Sequence, residues 1–299
     1  MKKELKLGLI GLSEGNGHPY SWASIFNGYN KNLMEECGFP IIPRYLEKQT
    51  FPEDQISDAK VTHIWTQSNA LSKQIARTTN IKYVIDDPRQ FIGSVDAVLL
   101  ARDDADLSRD LAYPIIEAGL PIYIDKPLAF SVDEAKKLIS SQKYEGQIFS
   151  CSALRYDVGL KLTKQDMNLI GSIRSIHATF PKDWDKYSAH AIDPLLQLIP
   201  NRGNLLKSYK WTSGDRISLS IEYENKLDIH IHNTGKSISP IGLRVIGANG
   251  WIDLFHNNTF KSFKAALSDF IFCIINNEVK ISSQQMIEVI KLIELGRKK

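Results

Sequence analysis

The sequence predicts an α/β domain of the Rossmann type with a parallel sheet, followed by an α+β C-terminal domain with a large, mainly antiparallel open sheet. Two observations predict this arrangement. In the first half, short apolar runs alternate with longer helical patterns, which is typical of β-α-β units. In the second half, strand-like runs follow one another through turn-rich links, which is typical of antiparallel sheets. We place the domains at residues 1–127 and 128–299.

Buried apolar runs mark the strands of the first domain. We predict these strands over 5–10, 61–66, 97–101 and 122–124. A helix is predicted to begin near Tyr20, after a glycine-rich turn, and Ser68 can cap the next helix. The helix after the third strand contains Pro114, which predicts a kink.

Six strands without intervening helices are predicted for the second sheet. They cover 147–154, 173–180, 205–211, 217–223, 227–232 and 243–246. An amphipathic helix over 282–295 follows, with Ser282 and Gln285 as its capping box and Gly296 at its end.

The composition is that of an ordinary globular protein. Of 299 residues, 43% are hydrophobic, which is enough apolar material for a core without a structural metal or disulfide. The 37 basic and 34 acidic residues are intermixed and no basic stripe stands out, so nucleic acid is not an expected partner.

The cysteines and the apolar runs predict a cytoplasmic protein. Cys37, Cys151 and Cys273 are odd in number and far apart, which argues against a disulfide framework and fits a reducing compartment. The longest apolar run, 270–275, is too short for a membrane span, and the N-terminal run does not fit a signal peptide.

The turn over residues 11–19 is the first candidate for ligand binding. It follows a predicted strand and precedes a helix, and the backbone of such a turn can approach a pyrophosphate closely where its residues are small. The spacing G-x-G-x-x-G is not literally present, and the alternative is a flexible surface loop. We favour phosphate contacts from Gly11, Ser13, Gly15 and Gly17 because the turn is the first βα connection.

Three further residues are candidates for contacts with the cofactor. His18 can contact a phosphate or ribose, and its alternative is a bond to the local backbone. The second strand ends in Thr66 and Gln67, where dinucleotide sites usually offer an acid. Both side chains can bond a bare ribose or a 2′-phosphate, so NAD and NADP remain open. The 29–60 insertion before this strand can cover cofactor or substrate.

Several blocks carry a resemblance to one family. The segments 8–11, 95–101 and 117–129 resemble the Gfo/Idh/MocA oxidoreductases, named for glucose-fructose oxidoreductase and inositol dehydrogenase. In particular, Asp125-Lys126-Pro127 is similar to the family's E-K-P, and His190-Ala191-Ile192-Asp193 is similar to its H-x-x-D. The resemblance covers nearly the whole chain.

The resemblance implies an NAD(P)-dependent dehydrogenase or reductase that acts on a sugar, a cyclitol or a sugar nucleotide. It implies that 1–127 bind the dinucleotide and that 128–299 bind substrate and form a homo-dimer or homo-tetramer. It also implies that Lys126 contacts the cofactor and holds the reacting hydroxyl, and that His190 is the general acid/base.

The chain departs from the family pattern at two places. Lys186 stands where many relatives carry Asp; Asp185 and Tyr187 are close enough to substitute, and we favour Tyr187 as a third catalytic residue because a phenol can relay a proton. The family's T-P segment is replaced by residues 102–104. Their acids complement the next helix, while Arg102 can face an anionic group of the ligand.

The second domain supplies the candidate substrate contacts: Arg155, Tyr156, Trp184 and Asp193. Trp184 can stack on a sugar ring or lie in the core, and Asp193 can bind substrate or orient its neighbours. His230 and His232 share one face of a strand, but we predict no metal site because no third ligand is in view.

Two other functions remain open. Some relatives oxidise a sugar only transiently, so an NAD-dependent glycosidase is one alternative. The unusual glycine spacing and Lys186 also allow a dinucleotide-binding sensor without catalysis.

Overall fold

The computed structural model describes residues 4–298, which form two compact units. Among the described residues, the first unit comprises 4–129, Asp133–Ser150 and Phe263–Met286; the second comprises Phe130–Val132, Cys151–Ser262 and 287–298. Residues 133–150 and 263–286 thus lie beyond the predicted border at residue 127 and yet pack with the first unit. One reason is aromatic, because the ring of Phe270 packs 5.6 Å from the rings of both Tyr123 and Phe149.

A six-stranded parallel sheet organises the first unit, as predicted. Its strands are β1 (Leu5–Ile10), β2 (Ala59–Trp65), β3 (Tyr83–Val84), β4 (Ala97–Leu100), β5 (Ile122–Ile124) and β6 (Ile148–Phe149). Their order is β3-β2-β1-β4-β5-β6, which is the doubly wound Rossmann order. The order reverses between β1 and β4, so the carboxyl ends of these two strands flank the crevice where such sheets bind ligands.

Ten α-helices accompany the strands within residues 4–298. They are α1 (His18–Asn27), α2 (Lys31–Glu35), α3 (Ile41–Leu46), α4 (Asn69–Thr78), α5 (Ala105–Glu117), α6 (Val132–Ser140), α7 (Lys164–Ile170), α8 (Trp184–Leu198), α9 (Thr259–Asn276) and α10 (Ser283–Arg297). The helix α5 continues through Pro114. The predicted capping box before α10 is confirmed, because Ser282 and Gln285 exchange side chain-to-backbone hydrogen bonds of 3.0 and 3.2 Å.

The insertion over 29–60 supplies α2 and α3, which pack inside the first unit. The hydroxyl of Tyr45 donates to Ser21 of α1 at 2.5 Å, and Met34, Ile42 and Leu46 are buried. The insertion is therefore held against the first helix of the unit. No helix within residues 4–298 is both long and apolar enough to cross a membrane.

The second unit contains a six-stranded mixed sheet. Its strands are β7 (Ile173–Phe180), β8 (Leu205–Ser213), β9 (Arg216–Tyr223), β10 (Leu227–Asn233), β11 (Gly242–Gly247) and β12 (Trp251–Phe255), in the order β12-β11-β7-β10-β9-β8. All neighbours are antiparallel except β7 and β10. Helix α8 packs against β7, β10 and β11. Side chains on the opposite face of the sheet, such as those of Tyr209, Trp211, Trp251 and Phe255, are exposed, and we call this face the open face.

One predicted strand is wrong. Of residues 147–154, Ile148–Phe149 form the β-strand, and they pair with β5 in the parallel sheet rather than in the second sheet. The chain then turns into a short 3₁₀ helix, Ala153–Tyr156, because the Ser152 side chain accepts the N–H of Leu154 at 3.2 Å. The strands β3 and β12 are short and were not predicted from the sequence.

Candidate active site

The glycine turn between β1 and α1 is shaped by close packing. A side chain at Gly11 would meet Pro19 at 2.3 Å, and one at Gly17 would meet Ile42 at 2.5 Å, so both positions need glycine. Gly15 has a φ of +76° and nothing within 4 Å of its missing side chain. This glycine is therefore required by the backbone conformation and leaves open space beside the turn.

The turn offers unsatisfied donors at the start of a helix. Gly17 is the N-cap of α1 and provides no side-chain cap. Within residues 4–298, the backbone N–H groups of Ser13, Gly15 and Gly17 find no hydrogen-bond acceptor. Donors of this kind at the positive end of a helix fit an anion such as a pyrophosphate. The turn thus fits the group for which the sequence predicted it.

A buried polar network links this turn to the ends of β4 and β5. The Ser13 hydroxyl donates to Asp103 Oδ1 at 2.6 Å and accepts the backbone N–H of Asp103 at 3.1 Å. The other carboxylate oxygen of Asp103 lies 3.9 Å from Lys126 Nζ. Lys126 is only 6% exposed, so this ion pair holds a largely buried ammonium at the carboxyl edge of the sheet.

Asp125 is the second acid of the network. Its carboxylate accepts hydrogen bonds from Asn16 Nδ2 at 2.9 Å and from the backbone N–H of Lys126 at 2.8 Å, and contacts His18 Nδ1 at 2.5 Å. Burial raises the pKa of Asp125, but the charges of His18 and Lys126 and these hydrogen bonds outweigh it and bring the pKa to about 2. His18 Nδ1 thus faces Asp125 rather than the predicted phosphate or ribose.

Arg102 joins three strand ends instead of offering its charge to a ligand. Its Nε and Nη2 donate to the carboxylate of Asp104 at 2.9 and 2.5 Å. Its Nη1 donates to the carbonyl of Leu12 at 2.9 Å and to Gln67 Oε1 at 3.1 Å. The predicted contact of this guanidinium with a ligand anion is corrected accordingly, because internal acceptors already neutralise and orient it. Asp104 precedes α5 without capping it by a side-chain hydrogen bond.

The end of β2 is also occupied by internal bonds. The Thr66 hydroxyl donates to the carbonyl of Ser68 at 2.7 Å and lies 2.9 Å from the hydroxyl of Ser72. Thr66 is buried, so the structure gives it a role in starting α4 rather than the predicted ribose contact. Gln67 is exposed and donates to the Leu12 carbonyl at 2.8 Å, which fixes it beside the glycine turn.

In the second unit, His190 is held by Ser152. His190 Nδ1 and Ser152 Oγ lie 2.8 Å apart. A hydroxyl can donate to a neutral imidazole or accept from a protonated one, so this contact survives either state of the ring. The Tyr187 ring meets His190 edge to face at 5.6 Å, and the Lys182 ammonium donates to the Tyr187 hydroxyl. Tyr187 and His190 are therefore neighbours in the second unit.

Asp193 and Arg155 bind each other inside the second unit. Asp193 is fully buried and accepts the Ser152 N–H at 2.8 Å and Arg155 Nη1 at 3.1 Å, while Arg155 Nη2 donates to Gln197 at 2.9 Å. Burial raises the pKa of Asp193, and Arg155 and the Ser152 N–H offset this in part. Asp193 has no exposed surface for a substrate, so its predicted role is corrected to orientation. Tyr156, half-buried, ends the same 3₁₀ turn.

Trp184 is a core residue, not a ligand platform. It is 3% exposed, its indole N–H donates to the Ile293 carbonyl at 3.0 Å, and Gly296 packs against its ring. The predicted stacking on a sugar is therefore corrected. Of the acid and the phenol considered as substitutes, Asp185 lies 3.1 Å from Arg297, whereas Tyr187 contacts the His190 ring.

Among the residues of these networks that the sequence did not predict as site residues are Asn16, Asp103, Asp125 and Ser152. Asp103 and Lys126 follow β4 and β5, and Leu100 pairs with Ile124 in the register. Residues just past two paired parallel strands meet at one edge, so this proximity was available from the strand order. The contact of Ser152 with His190 joins residues 38 apart and has no local signal.

Comparison with known proteins agrees with this architecture. Residues 44–152 match the family model described as "Oxidoreductase family, NAD-binding Rossmann fold" of the Gfo/Idh/MocA group. No curated protein sequence matches the chain significantly.

Solved structures extend the likeness over the whole chain. The myo-inositol 2-dehydrogenase from Lactobacillus plantarum is 14% identical, with 98% of this chain and 96% of that chain covered at a TM-score of 0.72. The scyllo-inositol dehydrogenase from Lactobacillus casei with bound NAD(H) and scyllo-inositol is 14% identical, with 99% and 96% covered at 0.71. GenD2 from gentamicin A biosynthesis, in complex with NAD, is 12% identical, with 99% and 93% covered at 0.73. At these identities, the likeness shows the fold.

The charge of Asp125 predicts a pH-dependent stability. Its folded pKa of about 2 lies below the ordinary value of 3.8, so the ionised form stabilises the fold above pH 4 and this contribution is lost as the pH falls toward 2. Asp125→Asn should lower the free energy of unfolding by about 2 kcal/mol at pH 7, with about half of that difference gone at pH 3. Urea unfolding at pH 7 and at pH 3 measures this difference in the free energy of unfolding.

The matched control for Asp125→Asn is Asp110→Asn on the exposed side of α5. The control should change the unfolding free energy by less than about 0.5 kcal/mol at either pH. Equal, pH-independent effects of the two substitutions would contradict the electrostatic role of Asp125.

Proposed function

We propose that this chain is a Gfo/Idh/MocA oxidoreductase, whose family model with an NAD-binding Rossmann fold matches residues 44–152, and that it transfers a hydride between the nicotinamide and a CH–OH group. The substrate class that we propose is a sugar, cyclitol or sugar nucleotide, with a secondary alcohol or ketone at the reacting carbon. The inositol substrate class named for two structural relatives supports this choice.

The observation that carries the proposal is the buried network of Lys126, Asp103 and Ser13. It ties an ammonium at the end of β5 to the turn that fits a pyrophosphate. A charged donor fixed near a bound dinucleotide can hold the oxygen of an alcohol or ketone while the carbon beside it exchanges hydride. We therefore assign Lys126 to cofactor contact and to holding the reacting oxygen.

The proton needs a second group, for which we propose His190. Oxidation of an alcohol releases a hydride from carbon, which the nicotinamide takes up when bound, and a proton from oxygen. His190 is the group that can take this proton, because Ser152 accommodates both protonation states of its Nδ1 side. Tyr187, in edge contact with the imidazole, is proposed to assist this transfer. Arg155 and Tyr156 are proposed to shape the substrate side.

We propose NAD rather than NADP as the working cofactor. A 2′-phosphate needs a cation, but the Arg102 guanidinium is already bonded to Asp104. The relatives named with bound cofactor carry NAD or NAD(H), in line with this choice. We also propose a cytoplasmic location, which the burial of all three cysteines supports.

We propose that the chain forms a homo-oligomer through the open face of its second sheet. Four large aromatic side chains there are 49–61% exposed: Tyr209, Trp211, Trp251 and Phe255. Exposed aromatic residues on a flat sheet are typical of surfaces that pair with another protein. A second copy of the chain is the occupant that we propose, as a dimer or a tetramer.

The glycine turn can be tested with two matched substitutions. Gly15→Ala and Gly93→Ala both place a side chain at a positive φ with open space around it, so each should cost about 1–2 kcal/mol of stability. Only Gly15→Ala should weaken NADH binding, by about tenfold, because it disturbs one donor to the pyrophosphate. Fluorescence titration measures the dissociation constants. Equal NADH affinities of the two variants would remove the turn from the cofactor site.

The catalytic assignment predicts losses of turnover. Lys126→Ala and His190→Ala should each reduce kcat/KM by roughly 10²–10⁴-fold across an inositol, sugar and sugar-nucleotide panel. The control Lys136→Ala, which changes an exposed lysine of α6, should leave it unchanged. Wild-type turnover in either active-site variant would refute the role of that residue. Glycoside cleavage without net formation of NADH would identify the glycosidase with transient redox chemistry. NADH binding without turnover of any substrate would identify the non-catalytic sensor.

The oligomer can be tested by one charge on the open face. Trp211→Glu places a carboxylate where we expect an apolar contact, so the sedimentation coefficient should fall to that of a monomer. Exposed Leu107 on α5 offers the control Leu107→Glu, which should sediment like the wild type. A wild-type monomer would contradict the proposed oligomer.

A further inference from the structure

The centre of the open face holds two histidines and an aspartate. Strands β7 and β10 run parallel there, and His230 is paired with His177 in the register. Asp228 lies two residues before His230 and so points to the same side of the sheet. One ligand-type atom from each of the three side chains lies within 4.8 Å of the other two.

This donor set is one that zinc uses. Zn²⁺ binds imidazole nitrogen and carboxylate oxygen at about 2.0–2.2 Å, so tetrahedral ligand atoms stand about 3.4 Å apart. His230 Nε2 and Asp228 Oδ2 are 3.0 Å apart, close to that spacing. The widest separation between ligand atoms in the cluster is at most 4.8 Å, so it has to shrink by at most about 1.4 Å. His177 and His230 are exposed side chains, so a small rotation of each provides this movement.

Hydrogen bonds already orient two of the three ligands. Ser220 Oγ lies 2.8 Å from His230 Nδ1, which leaves Nε2 directed at Asp228. The Ser175 hydroxyl donates to Asp228 Oδ2 at 2.5 Å. Outer partners of this kind fix ring orientation and tautomer in metal sites. The arrangement is therefore more than a chance meeting of polar side chains.

A positively charged side chain, Arg244, pairs with His177 in the register beside the cluster. Arg244 is the adjacent cation on β11, and its guanidinium is bonded to Asp253 at 2.7 and 2.8 Å, which offsets its charge.

We propose that His177, Asp228 and His230 bind one Zn²⁺ ion, with a fourth position left for water or for a side chain of the second copy that we propose on this face. The inference is independent of the redox proposal, because none of the three ligands is among the residues assigned to the cofactor, the substrate or the proton transfer. It also replaces the expectation of no metal: the sequence considered His230 with His232, whereas the fold supplies partners from the neighbouring strand and from two residues earlier.

His232 is a matched control for His230. It lies on the same strand and face, and its Nδ1 contacts Ser218 Oγ at 2.7 Å, as His230 contacts Ser220. Its partner in the register is Thr179, which is not a zinc ligand of this type. It lies outside the three-residue cluster within residues 4–298. Loss of His232 thus removes a similar histidine without removing a proposed ligand.

Cobalt titration of the untagged full-length protein tests the site. Wild-type protein should bind one Co²⁺ per chain with visible absorption bands, and Zn²⁺ should displace it. His177→Ala, Asp228→Asn and His230→Ala should abolish these bands, whereas His232→Ala should retain them. Ser220→Ala should weaken binding by roughly 10–100-fold, because it removes an outer partner. Thermal unfolding without metal checks that all variants are folded.

Two results would overturn the site: wild-type protein that binds neither Co²⁺ nor Zn²⁺ at micromolar concentrations, or equal binding by the His177→Ala and His232→Ala variants. NADH affinity measured on the same samples separates this test from the proposed function. We expect His177→Ala to bind NADH like the wild type.

Discussion

The arrangement of residues at the carboxyl edge of the first sheet depends on the buried charge of Lys126. A buried ammonium requires nearby opposite charge, because desolvation penalises it by several kcal/mol. Asp103 supplies that charge from the end of β4, and Asp125 adds to it from the preceding position on β5. These acids are themselves buried, so each needs its own donors, and the glycine turn provides them through Ser13 and Asn16. The charge of Lys126 thus requires contacts among the residues that follow β1, β4 and β5.

This chain of requirements explains why the turn departs from the usual glycine spacing. Ser13 and Asn16 occupy a turn where a regular fingerprint has more glycine, and each bonds an acid that follows β4 or β5. The substitutions in the turn and the acids opposite it therefore form pairs. A turn altered by loss of function would not be expected to gain matching partners 90 and 109 residues away. The departures are consistent with one another, which favours a retained binding site over a decayed one.

The sequence predicted the strands of the fold better than it predicted the contacts between side chains. The strands Leu5–Ile10 and Ile122–Ile124 were predicted to the residue because each is a buried apolar run bounded by turn residues. The β6 error arose because two residues carry too little pattern to show which sheet they join. Lys126 was found by its motif, but the ion pair with Asp103 and the burial of Trp184 depend on residues distant in sequence. Local periodicity does not contain that information.

A serine hydroxyl contacts a candidate site residue in each of the two units. In the first unit, Ser13 both donates to and accepts from Asp103, and in the second, Ser152 contacts His190 while its backbone N–H holds Asp193. A carboxylate partner for His190 would favour the imidazolium and bias the ring toward one state. A hydroxyl has a donor and an acceptor and imposes no such bias. For the proton transfer that we propose for His190, a serine is therefore the partner that orients the ring at the least cost to either protonation state.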